Sequence, residues 1–126
     1  MEVLKLRATD DTPGIILDAE NEIFEIIGRS LPENVNQFYE PILNWLDEYS
    51  KSPNPKTIFI FKLTYFNTAS SKLILEIMLK LDKMFQEGKD IEIKWLVPMD
   101  DEDNEEAGEE FKDLLELPFH ILELPD

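Results

Sequence analysis

The chain has 126 residues, of which 43 % are hydrophobic, a composition that excludes a disordered protein and predicts one folded domain over residues 1–126. Its 28 acidic and 12 basic residues give a formal charge of −16, which argues against binding to nucleic acids or to anionic membranes. No cysteine is present, and no apolar run approaches the roughly 20 residues of a membrane span, so we expect no disulfide, no membrane insertion and a cytoplasmic location.

Three strand patterns occupy the amino-terminal part of the chain. Residues 3–7 alternate apolar and polar side chains, which predicts an edge strand. Two β-rich runs follow at residues 14–18 and 22–27, and the three residues between them predict a hairpin. Gly28 is predicted to end the second of these strands.

A helix is predicted over residues 34–49, because apolar side chains recur there at spacings of three and four. Its start fits a capping box led either by Asn34 or by Ser30. Pro41 lies inside the pattern and is expected to bend the helix or to divide it. The SPNP segment at residues 52–55 predicts a turn after it.

The most apolar β-like run of the chain spans residues 57–66 and predicts a central strand buried on both faces. From Thr68 the apolar period changes to that of a helix, which Gly88 is predicted to stop. Residues 91–97 predict a further strand, which Pro98 ends.

The last part of the chain begins with an acidic stretch, interpreted as a loop over residues 100–110. It leads into a predicted short helix around Phe111, Leu114 and Leu115, and residues 119–122 predict a last strand. The order of elements indicates an α/β fold: a mixed sheet with an N-terminal hairpin, β-α-β crossovers and about three helices packed on the sheet.

Two strand-to-helix junctions, residues 28–34 and 66–72, carry the polar groups best suited to a site. Because backbone donors are exposed where strands end and helices begin, we expect these junctions to be neighbours. The second junction is rich in hydroxyls, which serve either as helix caps or as phosphate carriers beside the amides of a helix N-terminus. Composition alone does not decide between the two.

Several segments together resemble the SiaC-type biofilm-regulation phosphoproteins, whose domain is similar to STAS and anti-sigma-factor-antagonist domains. They are TPGIILD at 12–18, GRSLPEN at 28–34, FYEPILNWLDEY at 38–49, YFNTASSK at 65–72, and the acidic run before Phe111. The resemblance implies a single STAS-like regulatory domain that is not an enzyme and needs no cofactor. Ala69 stands where the serine-rich form of the motif has another hydroxyl.

The resemblance also implies partner switching. A cognate kinase phosphorylates a threonine that corresponds to Thr68, and a PP2C-type phosphatase removes the group. The unphosphorylated form binds and activates a diguanylate cyclase, which raises cyclic di-GMP and promotes biofilm or aggregation. Ser70 and Ser71 are the fallback acceptors. The residues expected to contact a partner or the phosphate are Arg29, Ser30, Tyr65, Phe66, Asn67 and Lys72.

Single residues leave alternatives open. Arg29 follows a glycine and could reach an anion, but with many acids nearby an ordinary surface ion pair is the favoured interpretation. Lys72 lies four residues after Thr68 and therefore on the same helix face, where it could pair with a phosphate. Trp45 and Trp95 fit either a core or an interface, and His120 is interpreted as structural.

The sequence alone leaves two other functions open. One is a constitutive interaction scaffold of the same fold, and the other is a small enzyme that uses Asp10, Asp11 and Asp18 to hold a metal or activate water. The acidic run fails as a calcium loop, because Glu106 stands where glycine is needed and Lys112 where a glutamate should be. Steering a basic partner is its better use.

Overall fold

A computed structural model describes residues 1–125 and shows the predicted mixed α/β architecture. The six strands lie in the sheet in their chain order; the first three are antiparallel to one another, and the third to the sixth are parallel. No helix in these residues is long and apolar enough to cross a membrane. The elements are β1 (Leu4–Leu6), β2 (Gly14–Asp18), β3 (Ile23–Ser30), α1 (Val35–Tyr49), β4 (Thr57–Phe66), α2 (Thr68–Gln86), β5 (Ile91–Val97), α3 (Glu102–Asp113) and β6 (Phe119–Glu123).

The core lies on one face of the sheet, beneath the helices. Ile26, Phe61 and Trp95 are paired across three parallel strands and are fully buried. Aromatic rings join the helices to this face: Phe24 of β3 packs against Trp45 of α1, with ring centroids 6.1 Å apart. Both tryptophans therefore belong to the core.

β4 is central, as predicted, but the prediction that it is buried on both faces is wrong. Phe59 and Phe61 are buried on the helical face, whereas Ile58 and Ile60 on the opposite face are only half-buried. The parallel strands β3 to β6 follow one another across the sheet in chain order. Crossover connections between parallel strands are right-handed, so connections that all step the same way across the sheet place their helices on the same face. The other face of the sheet therefore has no helix over it within residues 1–125.

β3 continues past Gly28 to Ser30, so the predicted end of this strand is wrong. Gly28 has a φ of 121°, and the register with β4 shifts between Gly28 and Arg29. This is a β-bulge, which glycine accommodates because it has no Cβ. Pairing then resumes, with Arg29 opposite Tyr65.

α1 begins at Asn34, the first of the two predicted caps. The Asn34 side chain accepts a hydrogen bond from the amide of Gln37 at 3.0 Å, whereas Ser30 belongs to β3. Pro41 does not divide the helix, which runs without a break from Val35 to Tyr49. We attribute the continuity to the buried face of α1, because tertiary packing outweighs the loss of one backbone donor.

α2 ends as predicted at Gly88, in a Schellman motif. Gly88 has a φ of 96°, and its amide donates to the carbonyl of Phe85 at 2.9 Å. The amide of Lys89 donates to the carbonyl of Met84 at 3.1 Å. These two bonds satisfy carbonyls that the last helical turn leaves free, and they require a left-handed residue at position 88.

The predicted loop over residues 100–110 is wrong, because most of the acidic stretch is helical: α3 begins at Glu102, nine residues before Phe111. Asp101 caps it by accepting from the amide of Asn104 at 3.0 Å. Carboxylates in the first turn are also favoured by the helix dipole. The cap and the dipole together explain why this acidic segment is helical. Leu114 is the C-cap and lies outside the helix.

Candidate functional site

The two strand-to-helix junctions are neighbours, as expected. β3 and β4 are adjacent parallel strands, and Ser30 at the end of β3 pairs with Phe66 at the end of β4. The amide of Asn67 also approaches the carbonyl of Ser30 at 3.4 Å. The start of α2 is therefore held against the end of β3.

Thr68 is exposed at the first position of α2. Asn67 is the N-cap, and its side chain accepts from the amide of Ser70 at 2.8 Å. The amides of Thr68 and Ala69 make no hydrogen bond to any part of residues 1–125, as is usual for first-turn donors. Lys72 is exposed one turn further along. The structure thus presents a free hydroxyl beside free donors and a cation on the same helix.

Ser70 differs from Thr68, because its side chain is fully buried. Its hydroxyl donates to the carbonyl of Ser30 at 2.9 Å and accepts from the Ser30 hydroxyl at 2.9 Å. The hydroxyl of Tyr39 lies 2.6 Å from that of Ser30. Since the single hydroxyl proton of Ser30 goes to Ser70, Tyr39 is the donor in the last contact. We call Ser30, Tyr39 and Ser70 the hydroxyl cluster.

The hydroxyl cluster joins three elements under the start of α2. It links β3 through Ser30, α1 through Tyr39 and α2 through Ser70, and all three side chains are buried. Ser30 and Ser70 are therefore closed to a partner or a kinase in this conformation, whereas Ser71 is half-buried. Nothing in the local sequence marks Tyr39 as a member, because its apolar spacing alone indicates an ordinary core residue.

Burial of Tyr39 predicts a stability change in alkali. Burial raises the pKa of this phenol from 10.0 to about 12. The folded state favours the neutral phenol. Its contribution to the free energy of unfolding is therefore complete below the unfolded pKa of 10.0 and is lost as the pH rises through about 12. We expect the free energy of unfolding to fall between pH 10 and 12, by an amount on the order of 2 kcal/mol, in urea denaturation at increasing pH.

Tyr39→Phe should reduce this alkaline fall, because it removes the ionising group while keeping the ring. Tyr65→Phe, at an exposed tyrosine, is the matched control. An unchanged alkaline slope in Tyr39→Phe would contradict the assignment.

Arg29 contacts Tyr65 rather than a carboxylate, so the predicted surface ion pair is wrong. Its guanidinium carbon lies 5.5 Å from the centroid of the Tyr65 ring, and its Nε donates to the carbonyl of Asp10 at 3.2 Å. Within residues 1–125 it forms no salt bridge. Tyr65 is 51 % exposed, whereas Phe66 is half-buried and packs edge-on against Trp95 at 5.8 Å. The result is an exposed aromatic and cationic surface beside Thr68.

The three aspartates of the enzyme alternative are not brought together. Asp10 and Asp11 precede β2 and Asp18 ends it, so the five-residue strand separates them by about 13 Å. The Asp18 carboxylate accepts from the side chain and amide of Asn21, which lowers its pKa. No group of three or more His, Cys, Asp or Glu residues in the described chain is arranged to hold a metal ion. His120 is exposed and lies 3.4 Å from Glu92.

A family model and a relative both match almost the whole chain. The family model described as SiaC family regulatory phosphoprotein matches residues 6–124. An uncharacterized protein of Pseudomonas aeruginosa strain UCBPP-PA14 is 26 % identical over 121 residues, which cover 96 % of each chain.

Solved structures are similar over almost the whole chain. SiaC of Pseudomonas aeruginosa is 25 % identical with a TM-score of 0.89, covering 98 % of this chain and 100 % of that one. A second match, 26 % identical with a TM-score of 0.91, is to a crystal structure of the diguanylate cyclase SiaD in complex with its activator SiaC, from the same organism. It covers 96 % of this chain and 99 % of that chain. The predicted family is confirmed: the chain belongs to the SiaC family of regulatory phosphoproteins.

Proposed function

We propose that this protein is a phosphorylation-controlled partner switch in the cytoplasm. Its unphosphorylated form binds and activates a diguanylate cyclase, a cognate kinase blocks that binding by phosphorylating Thr68, and a PP2C-type phosphatase restores it. Family membership and the activating complex of SiaC with SiaD support the choice of a cyclase as the target. The observation that carries the choice of acceptor is the contrast between exposed Thr68 and buried Ser70.

Thr68 is the hydroxyl of this junction that a kinase can reach without disturbing the core. Phosphoryl transfer to Ser70 would require breaking its bonds to Ser30 and opening the hydroxyl cluster. Ser71 is half-buried, and its hydroxyl makes no hydrogen bond to another element within residues 1–125. It is therefore the alternative phosphate acceptor that an experiment must separate from Thr68.

A phosphate at Thr68 can be accommodated without unfolding α2. It adds about −1.5 to −2 charges at neutral pH, and the free amides of the first turn and Lys72 are donors within the same helix. The helix dipole favours an anion at this end. The modification therefore changes the surface beside Tyr65 and Phe66 while leaving the core as it is.

Phosphate incorporation by the cognate kinase tests the acceptor. We expect the wild type to gain the mass of one phosphoryl group, Thr68→Ala to gain none, and the matched control Ser71→Ala to gain one, as measured by intact-mass spectrometry. PP2C-type phosphatase should reverse the gain. Normal incorporation into Thr68→Ala would show that another hydroxyl is the acceptor.

A further inference from the structure

The first turn of α2 is held to the sheet by a polar side chain and not by an apolar one. In residues 67–72 the buried side chain is that of Ser70, and the two residues before it are exposed. The next buried side chain, Leu73, follows almost one turn later. Most helical stability comes from packing, and the amides of a first turn lack intrahelical partners. The position of this turn therefore depends on what holds Ser70.

Ser70 is held by Ser30 through two hydrogen bonds. Its hydroxyl donates to the Ser30 carbonyl and accepts from the Ser30 hydroxyl, both at 2.9 Å. The amide of Asn67 approaches the same carbonyl at 3.4 Å, which is longer than the usual range for such bonds. The side chain of Ser70 is therefore the stronger attachment of the first turn to β3.

A β-bulge brings Ser70 to Ser30. The extra residue is Thr64, which has no partner in β3, so Ser30 lies opposite Phe66. In an unbroken register Ser30 would lie opposite Tyr65, and the start of α2 would shift by one residue along β3. Bulges are frequent beside functional sites, where they redirect side chains. The contact between the two serines thus depends on a specific irregularity of the sheet.

Tyr39 fixes Ser30 in turn. Its hydroxyl lies 2.6 Å from that of Ser30 and donates to it, because the proton of Ser30 goes to Ser70. A hydrogen bond requires a narrow range of distance and angle, and a buried network with every member paired is rigid. The hydroxyl cluster therefore specifies the position of the first turn more closely than an apolar contact would.

The same anchor orients the proposed phosphate acceptor. Thr68 lies two residues before Ser70, about 200° around the helix, so it faces solvent while Ser70 faces the core. The free amides of Thr68 and Ala69 belong to the same turn. Group transfer needs the reacting hydroxyl in a defined place, and a displacement of about 1 Å can cost about a hundredfold in rate. Movement of this turn would therefore change how Thr68 meets an enzyme.

We propose that Ser70 is a positioning residue for the phosphorylation of Thr68, and that Tyr39 supports it through Ser30. The hydroxyl cluster holds the first turn of α2 in the arrangement that presents the Thr68 hydroxyl to the kinase. This role rests on the proposed function, because it takes Thr68 as the acceptor. The anchoring of the turn does not depend on that function and is measurable in the unmodified protein.

Amide hydrogen exchange of the unmodified protein, followed by nitrogen-15 NMR, tests the anchor. The reporter is the Ser71 amide, which donates to the Asn67 carbonyl at 2.9 Å and closes the first turn. After correction for intrinsic rates, Ser70→Ala should speed exchange at Ser71 by about tenfold relative to exchange at Ile77 in the middle of α2, the scale of one buried hydrogen bond. An unchanged ratio of the two rates would overturn the proposal.

The rate of phosphorylation by the cognate kinase tests the use of the anchor, with the phosphate located at Thr68 by peptide mapping. The value of kcat/KM should fall by about tenfold or more in Ser70→Ala and by less in Tyr39→Phe, which keeps the bonds between the two serines. Because both changes act through Ser30, the double variant should be no slower than Ser70→Ala. A wild-type rate in Ser70→Ala would overturn the proposal. If Ser70→Ala does not fold, a wild-type rate in Tyr39→Phe would do so.

Tyr49→Phe separates positioning from a general loss of stability. Tyr49 is a second buried tyrosine of α1, and its hydroxyl lies 2.7 Å from that of Thr57, at the opposite end of β4 from Thr68. The Tyr49 hydroxyl also accepts from the amide of Asn54 at 3.0 Å. Its removal should lower the stability in urea at least as much as Tyr39→Phe does, while kcat/KM at Thr68 stays unchanged. An equal loss of kcat/KM in the two tyrosine variants would overturn the proposal.

This proposal and the proposed function fail in different ways. If Thr68 is not the acceptor, Thr68→Ala still gains a phosphate, and the exchange effect of Ser70→Ala remains. If the anchor is not needed, Thr68→Ala gains no phosphate, and Ser70→Ala is phosphorylated at Thr68 at the wild-type rate.

Discussion

Protein carrying phosphate on Thr68 is expected to bind its diguanylate cyclase more than about a hundredfold more weakly than the unmodified protein. A partner that covers Tyr65 and the start of α2 would have to exclude water from a dianion. That desolvation costs about 3 kcal/mol or more unless the partner supplies matching donors. Titration calorimetry with the two forms, together with the rate of cyclic di-GMP synthesis, measures the effect.

Substitutions at Thr68 separate charge from the loss of the hydroxyl. Thr68→Glu should reduce binding and cyclase activation in part, whereas Thr68→Ala should bind as the wild type does and resist the kinase. Ser71→Glu places the same charge three residues later in α2 and is the matched control for a general electrostatic effect. Equal affinity of the phosphorylated and unmodified proteins would contradict the switch.

Gly108→Ala is expected to destabilise the fold by about 1–3 kcal/mol, although the same change in most helices is favourable. A Cβ at Gly108 would lie 2.6 Å from Cδ1 and 2.8 Å from Nε1 of Trp95. Trp95 is fully buried and its Nε1 is bonded to the Asn104 carbonyl at 3.0 Å, so neither side can move freely. Urea denaturation followed by tryptophan fluorescence measures the loss.

The matched control for this prediction is Glu106→Ala, at an exposed position of the same helix. It should change the free energy of unfolding by no more than about 0.5 kcal/mol, since surface substitutions away from special features do little. A gain in stability for Gly108→Ala would show that α3 can shift away from β5 without cost.

A close approach of α3 to β5 also positions the first turn of α3. Gly108 lets the helix approach Trp95, and the carbonyl of Asn104 then receives the indole N–H. This contact places the first turn of α3, with Asp101 and Asp103, beside the end of β4. The acidic helix is therefore packed against the sheet and is not a detached solvated segment.

The periodicity of the chain was sufficient to predict the presence of all nine elements, because most of them bury one face. Three features were predicted wrongly, because each depends on pairing, capping or packing that the periodicity does not show. The end of β3 depends on pairing with Tyr65 after a bulge, and the start of α3 depends on Asp101 capping a polar helix. The open face of β4 depends on all crossovers lying on one side.

The candidate site was predicted only in outline. Motif resemblance pointed to Thr68, but three hydroxyls in the segment, those of Thr68, Ser70 and Ser71, remained candidate acceptors. Their burial separates them: Ser70 is bonded to Ser30 across forty positions of sequence, while Thr68 faces solvent.

By itself, the sequence determined the family, the order of strands and helices, and the position of the hydroxyl-rich junction, because these depend on side-chain period and on residues close in the chain. The tertiary structure alone decided which hydroxyl is accessible, that Arg29 lies over the ring of Tyr65, and that Gly108 meets Trp95. Those properties arise from contacts between residues far apart in the chain. Local patterns cannot specify such contacts, since burial and pairing are properties of the folded assembly of elements.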